Sequence, residues 1–223
     1  MAQTATITGM PSPEEMAGMA IERNGLYRLL AAVFREEIAL DLLVYILKPS
    51  YLEKLAETGV DVTALSALTP DTALQEQLSL EYSRLFIGPG KHVAPYESVH
   101  RGGEGATLWG PETSALKRFI EHCGFVYDEQ YHDLPDHISI ELELMGHLTN
   151  TEAEAWSEGD TQLATNSIGL QKEFLSRHLA NWTKPFANRV TEMAESHFYP
   201  QMANLIHNFV QAEKQEIEEY EAL

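Results

Sequence analysis

The stretch Asp136-His137-Ile138-Ser139-Ile140-Glu141-Leu142-Glu143-Leu144-Met145-Gly146-His147-Leu148-Thr149-Asn150 decides the fold class. Ile138, Ile140, Leu142 and Leu144 alternate with polar residues, the template of a half-buried strand. Beyond Met145 and Leu148, however, the chain runs on into Glu- and Ala-rich sequence, a strong helix-forming composition. The segment is therefore read as a helix, broken at Gly159-Asp160. On a helical wheel at about 100° per residue, Ile138, Ile140, Leu142, Leu144, Met145 and Leu148 cover a broad apolar arc. His137 and Glu141 fall inside that arc, one turn apart, whereas Ser139, Glu143 and Asn150 fall opposite. A carboxylate on an apolar face needs a partner, because an unpaired buried charge is very costly. His137 at i,i+4 supplies one candidate and Arg84 another, in a structural buried pair. Asp136, just ahead of the apolar run, reads as an N-cap accepting from the first free backbone N–H groups.

Outward from this segment the helical period persists. Residues 1–11 read as a flexible N-terminus. Ser12-Pro13-Glu14-Glu15 has the form of a capping box with proline at the first helical position, and Leu26, Tyr27, Leu30, Val33 and Phe34 follow on one stripe. Short helices are expected over Leu42–Leu47, stopped before Pro49, and over Tyr51–Ala56, ended near Gly59. Thr69-Pro70 opens a helix carrying Leu74, Leu78, Tyr82, Leu85 and Phe86. Gly88-Pro89-Gly90 ends it near Ile87, since proline lacks an N–H and glycine tolerates a left-handed turn. A long loop then runs to Pro111. Loops of this length in a compact domain are usually functional or disordered. Tyr96, Val99, Leu108 and Trp109 offer it apolar anchors, which favours an ordered, functional loop. Pro111 starts a helix closing at Gly124. Leu170, Phe174, Trp182, Phe186, Val190 and Met193 continue in register, and Pro200 begins a last helix with Leu205, Ile206, Phe209 and Val210. The expectation is all-α: a single-domain helical bundle over residues 12–212, with 213–223 an acidic end that frays.

The 223 residues suit one domain or two small ones. A formal net charge of −19 argues against nucleic acid, whose phosphates need a basic footprint. One cysteine, Cys123 before Gly124, excludes an internal disulfide and reads as a packing residue. No apolar run approaches membrane-spanning length, and the N-terminus lacks the basic and apolar segments of a secretory signal. Cytoplasmic residence is therefore the expectation. The competing chemistry is a metal- or nucleotide-dependent hydrolase using His137 and Glu141, with His132 and His147 nearby in sequence. A helical His/Glu pair without H-E-x-x-H or a cysteine pair is a weak metal signal. No P-loop or Rossmann glycine fingerprint and no nucleophile elbow is present.

Four runs, in order, carry a resemblance over most of the chain. They are Glu81-Tyr82-Ser83-Arg84-Leu85-Phe86-Ile87-Gly88-Pro89-Gly90; Ala94-Pro95-Tyr96-Glu97-Ser98-Val99; Pro135-Asp136-His137-Ile138 with Glu141-Leu142-Glu143-Leu144-Met145; and Phe174-Leu175 through His178-Leu179, Trp182, Pro185 and Phe186 to Phe198-Tyr199. Together they resemble the TorD/DmsD/NarJ family of chaperones for molybdenum-cofactor oxidoreductases, and most closely its TorD/DmsD branch. Many family members carry a second proline where this chain has Tyr96.

The resemblance implies a TorD-like bundle and a cytoplasmic chaperone rather than an enzyme. Its partners are expected to be the catalytic subunit of a DMSO/TMAO-reductase-type enzyme and its twin-arginine leader, with no nucleic acid and no membrane insertion. By holding the leader and the apo form, it assists cofactor insertion and delays export. The resemblance assigns leader binding to Leu85, Phe86, Gly88, Pro89, Pro95, Tyr96, Glu97, Ser98, Pro135, Asp136 and His137; the helical wheel adds Arg84 and Glu141 as buried support. A groove between a hydrophobic helix end and a Pro/Gly-shaped loop suits an apolar peptide, with carboxylates to engage arginines. A helix end with a packed loop is the plain alternative. No resident cofactor is expected; guanine nucleotide binding is reported in the family, and the sequence locates no site for it. Family members occur as monomers and helix-exchanged dimers. Glu158-Gly159-Asp160 is the candidate hinge, so a monomer with a dimer fraction is expected.

Overall fold

The computed structural model describes residues 11–57, 61–103, 105–125 and 133–221. The expected helix end near Gly59, the candidate His132 and nearly all of the N-terminal segment lie outside the described residues. Among the described residues there is no strand, only an isolated antiparallel bridge between Tyr96 and His137. The ambiguous segment is helix: α8 runs Ile138–Glu158. Its alternation has a physical cause. α8 lies at the middle of the bundle, packed on α1 (Pro13–Arg35) along one side and on α9 (Thr161–Arg177) along the other. A helix covered on several sides loses its single apolar stripe, and Ser139, expected on the outer face, is itself buried.

α1 starts on the expected capping box: Ser12 N donates to Glu15 Oε2 at 2.7 Å, and Glu15 N to Ser12 Oγ at 3.3 Å. It runs antiparallel to α8. Gly146 permits the close approach, because an added Cβ there would meet Arg28 Cγ at 3.2 Å; Asn24 Nδ2 donates to the Gly146 carbonyl. The α8–α9 turn closes on Gly159 at φ 78° and on Asp160, whose carboxylate accepts from Leu163 N at 2.9 Å.

The remaining helices are α2 (Leu40–Ile46), α3 (Pro49–Glu57), α4 (Thr63–Ser66), α5 (Thr72–Tyr82), α6 (Glu97–Arg101), α7 (Pro111–Cys123), α10 (Thr183–Met193) and α11 (Phe198–Glu221). Several details differ from expectation. Asp71, not Pro70, sets the start of α5 by accepting from Leu74 N at 2.8 Å. The loop before Pro111 contains α6. Its apolar anchors are Val93 and Pro95, while Leu108 and Trp109 are exposed. Pro200 lies within the first turn of α11. α11 is helical to Glu221, with Glu213 and Ile217 buried.

Glu213 belongs to a polar knot that fastens four helices. Arg23 of α1 donates to both oxygens of Glu152 at 2.7 Å, to Gln171 Oε1 at 3.1 Å and to Glu213 Oε2 at 3.3 Å. Gln171 Nε2 returns a bond to Glu152 Oε2 at 2.8 Å. Burial first, then the carboxylates of Glu216 and Glu152, push the Glu213 carboxyl up to about 7 against the pull of Arg23. Among the charges around Glu213 that pull is the largest, and burial still outweighs it.

Candidate peptide-binding site

The first block of the site is the end of α5. Ser83–Ile87 form a π-helical turn, closed by Gly88 N donating to Ser83 O at 2.7 Å. Such turns insert one extra residue and are frequent at functional sites. The extra residue turns Leu85 and Phe86 into the core and leaves Ile87 exposed. Phe86 packs edge-on to Phe34 at 5.7 Å and to Tyr199 at 5.7 Å. Val93 N then donates to Leu85 O at 2.7 Å, folding the loop back onto the turn.

The polar residues of the same block act as fasteners. Glu81 Oε1 accepts from the backbone N–H groups of Glu195 and Ser196 at 2.7 and 2.9 Å, tying α5 to the start of α11. Arg84 donates to Met193 O at 3.2 Å and pairs with Glu195 at 3.5 Å. It does not reach Glu141, so its expected role as buried support is corrected: its side chain is 41% exposed.

The second and third blocks meet directly. Glu97 N donates to Asp136 O at 2.9 Å and Ile138 N to Pro95 O at 2.8 Å, on either side of the Tyr96–His137 bridge. Asp136 does not cap α8. Its Oδ2 accepts from Ser98 N at 3.0 Å, capping α6 from across the fold. The residue at the α8 cap is His137, whose Nδ1 accepts from Ser139 N at 3.2 Å and from Ser139 Oγ at 2.8 Å. Because Nδ1 accepts a backbone N–H, the ring proton sits on Nε2, facing Asp133 Oδ2 at 3.9 Å. Burial pulls His137 down to about 4, against the opposing charges of Asp133 and Asp136.

Below this seam lies a buried acidic cluster. Glu97 Oε1 accepts from Arg101 Nη1 at 2.5 Å, and Oε2 accepts from His178 Nδ1 at 2.8 Å. Arg101 Nη1 also reaches Arg177 O at 2.8 Å. Glu141 Oε2 accepts from Trp182 Nε1 at 3.1 Å, so Trp182 rather than His137 is its partner. Burial, then the carboxylate of Glu97, raises the Glu141 carboxyl well above the usual range. Glu97, Asp136 and Glu141 are all fully buried. Asp136 Oδ1 and Glu141 Oε1 have no hydrogen-bond partner among the described residues.

The structure thus brings the predicted blocks together and buries most of them. Leu85, Phe86, Pro95, Glu97, Ser98, Pro135, Asp136, His137 and Glu141 lie in the interior, Gly88 and Tyr96 are half-buried, and Pro89 is exposed. Asp136 and His137 are therefore not the surface-facing pair expected. The acid that solvent reaches here is Asp133, 29% exposed, whose Oδ1 accepts from Tyr96 Oη at 2.6 Å. Sequence reading missed Asp133, because nothing in one-dimensional spacing ties it to Tyr96. It also missed Arg101 and His178, although Glu97-x-x-x-Arg101 is an i,i+4 pair legible once α6 is known to be a helix. No group of three or more His, Cys, Asp or Glu able to hold a metal occurs among the described residues. Nor, among them, is any helix long and apolar enough to cross a membrane.

Comparison with known proteins gives a consistent set. A family model described as nitrate reductase delta subunit matches residues 52–188. The chaperone protein TorD of Shewanella pealeana is 26% identical over 213 residues, covering 88% of this chain and 90% of its own. The "Probable Tat proofreading chaperone DmsD" of Haemophilus influenzae is 27% identical over 185 residues, 80% of this chain and 83% of its own. TorD of a second Shewanella species is 30% identical over 160 residues, 70% of this chain and 69% of its own.

Proposed function

Because the chain belongs to the nitrate reductase delta subunit family, the TorD/DmsD/NarJ group of redox enzyme maturation proteins, we propose that it is a chaperone for a molybdenum-cofactor oxidoreductase of the DMSO/TMAO-reductase type. In this reading it binds the twin-arginine leader and the apo-enzyme, and it releases them after cofactor insertion. The observation that carries the reading is the match over residues 52–188, which spans the π turn, the loop, α6, α7 and all of α8. The names of the relatives support the chaperone class, and with it a binding protein rather than a hydrolase.

The buried side chains shape the leader site and the accessible ones contact it. Gly88, Pro89 and Tyr96 present the rim of the loop, with exposed Ile87 beside them. Asp133 supplies the carboxylate that a leader arginine meets, held toward solvent by Tyr96 and by its own bond from Leu134 N at 2.8 Å. Leu85, Phe86, Glu97, Ser98, Pro135, Asp136 and His137 hold the loop in place.

Calorimetric titration of a twin-arginine leader peptide tests this division. Asp133→Asn is expected to weaken binding by about 1–3 kcal/mol, the loss of one charge-assisted hydrogen bond, with stability nearly unchanged. Asp136→Ala is expected to lower stability by about 0.5–2 kcal/mol through the lost cap on α6. Equal leader affinity in the wild type and in folded Asp133→Asn would remove Asp133 from the site.

The oligomeric reading is a monomer with a helix-exchanged dimer fraction, opened at Gly159-Asp160. Light scattering over a dilution series checks it: a dimer fraction that falls on dilution is expected, and one fixed higher oligomer at every concentration counts against it.

A further inference from the structure

Arg23 serves two buried carboxylates at once. Its side chain is 17% exposed, and those of Glu152 and Glu213 are 0% and 4% exposed. With both acids ionised the buried group carries a net negative charge, which is costly away from water, and one proton cancels it. The bonds decide which acid takes that proton. Glu152 accepts the two 2.7 Å bonds from Arg23 and one more from Gln171, so it is well served as a carboxylate. Glu213 accepts the single longer bond, at 3.3 Å. The ionisable groups facing Glu213 are Arg23 and Tyr27 on α1, Glu152 on α8 and Glu216 on α11 itself, while α9 contributes the neutral Gln171.

Glu213 also stands where α11 is least anchored. Beyond it, Ile217 is the only buried side chain among the described residues, and Gln215, Glu216 and Glu218 are exposed. The last turn carries no basic residue, so the acids near this helix C-terminus oppose the macrodipole instead of complementing it. Helix here is held by docking more than by its own preference. That docking rests on a knot whose charges balance only while Glu213 holds a proton.

We propose that Glu213 is a pH-operated latch for the end of α11: protonated, it pins residues 213–221 to the knot; ionised, it lets these turns undock while the rest of the bundle stays folded. On undocking, the proton passes to bulk water, Glu213 becomes solvated and Arg23 stays with Glu152. The carboxyl stands at about 7 when docked and returns toward 4.5 once solvated. Docking is therefore favoured most below about pH 4.5, weakens up to about 7 and is level above. Such an opening is local, one of the sub-global events that native proteins undergo short of unfolding. It involves none of the residues assigned to the leader and stands independently of that reading.

Segment-resolved amide hydrogen exchange of the full chain reads the latch, with each rate referred to the intrinsic rate at the same pH so that base catalysis cancels. Between about pH 5 and about pH 8, protection of residues 214–221 is expected to fall at least about tenfold, while α1 and α8 do not follow. Glu213→Gln, close in shape and without a titrating group, is expected to hold protection constant over the same range. The double variant Glu216→Gln/Glu218→Gln thins the exposed acids and is expected to keep the decline. Equal protection of 214–221 at both pH values in the wild type, absent protection at both included, overturns the proposal. A decline of the same size in α1 and α8 overturns it in favour of global unfolding. A decline that survives in Glu213→Gln, or that vanishes in the double variant, overturns it in favour of repulsion among the surface acids.

Discussion

Replacing Arg23 by alanine is expected to lower the unfolding free energy by about 3–5 kcal/mol, a large share of a marginal total. The loss exceeds that of an ordinary ion pair because the substitution strands two buried carboxylates. Glu152 is fully buried and Glu213 nearly so, and neither reaches water easily once the guanidinium is gone. The pH dependence carries the same signature. In the folded protein the Glu213 carboxyl sits at about 7 against an ordinary 4.5. The folded state therefore holds the extra proton between these values. Stability contributed by that proton is complete below about 4.5, declines as pH rises to about 7, and is flat above. Each unit of such a shift is worth about 1.4 kcal/mol. His137 works in the other direction: neutral in the fold down to about 4 against an ordinary 6.5, it loses stability as pH falls through that window. Urea unfolding of wild type and Glu213→Gln at about pH 5 and about pH 8 separates them. The variant should lose the decline on the alkaline side. An Arg23→Ala protein that unfolds at the wild-type urea midpoint would show that the knot contributes nothing.

Glu97→Ala is expected to cost about 2–4 kcal/mol and to loosen α6 more than the bundle. Glu97 is the common acceptor of Arg101 and His178, and through it α6 is held to the end of α9. Arg101 is 33% exposed and can rehydrate when its acceptor is removed, which places the expected loss below that for Arg23. His178, packed against Phe174 at 5.5 Å and Phe119 at 6.2 Å, has no such escape. Removing the Glu97 charge also lowers the Glu141 carboxyl, since that charge is the largest electrostatic contribution holding it up. Amide hydrogen exchange resolved by segment is the decisive measurement. Residues 97–101 should lose protection in Glu97→Ala while α1 and α8 keep theirs. Unchanged protection across α6 would mean that the bonds from Glu97 N to Asp136 O and from Ser98 N to Asp136 Oδ2 suffice without the carboxylate.

The long helices were legible in the sequence because their ends announce themselves locally, whereas the short α4 and α6 were not read. The Ser12 capping box, Pro111 at a first turn and Gly124 and Gly159 at C-caps are all readable within a few residues. The candidate site was legible only as a set of names. Periodicity placed Glu141 on an apolar face and required a partner for it, yet His137 one turn away and Trp182 far downstream satisfy that requirement equally on paper. Only packing chooses Trp182. Asp136 likewise reads as the cap of its own helix, and the structure turns it to cap α6, whose chain position gives no hint of proximity. The π turn at Ser83–Ile87 has no sequence signal at all, since one additional residue in a helix leaves composition and spacing almost unchanged. It nevertheless decides that Phe86 points inward and Ile87 outward.

The α1–α8 pair has a consequence for how the chain is made. α1 leaves the ribosome well before α8, with Tyr27, Leu30, Val33 and Phe34 needing cover, and the helix that supplies most of it ends at Glu158. At about 5–20 residues per second, synthesis of the intervening chain takes on the order of ten seconds. Throughout that interval the nascent N-terminal helix displays a naked hydrophobic stripe, the kind of surface that molecular guardians recognise. A protein whose relatives are named chaperones thus passes through a stage in which its own α1 needs shelter.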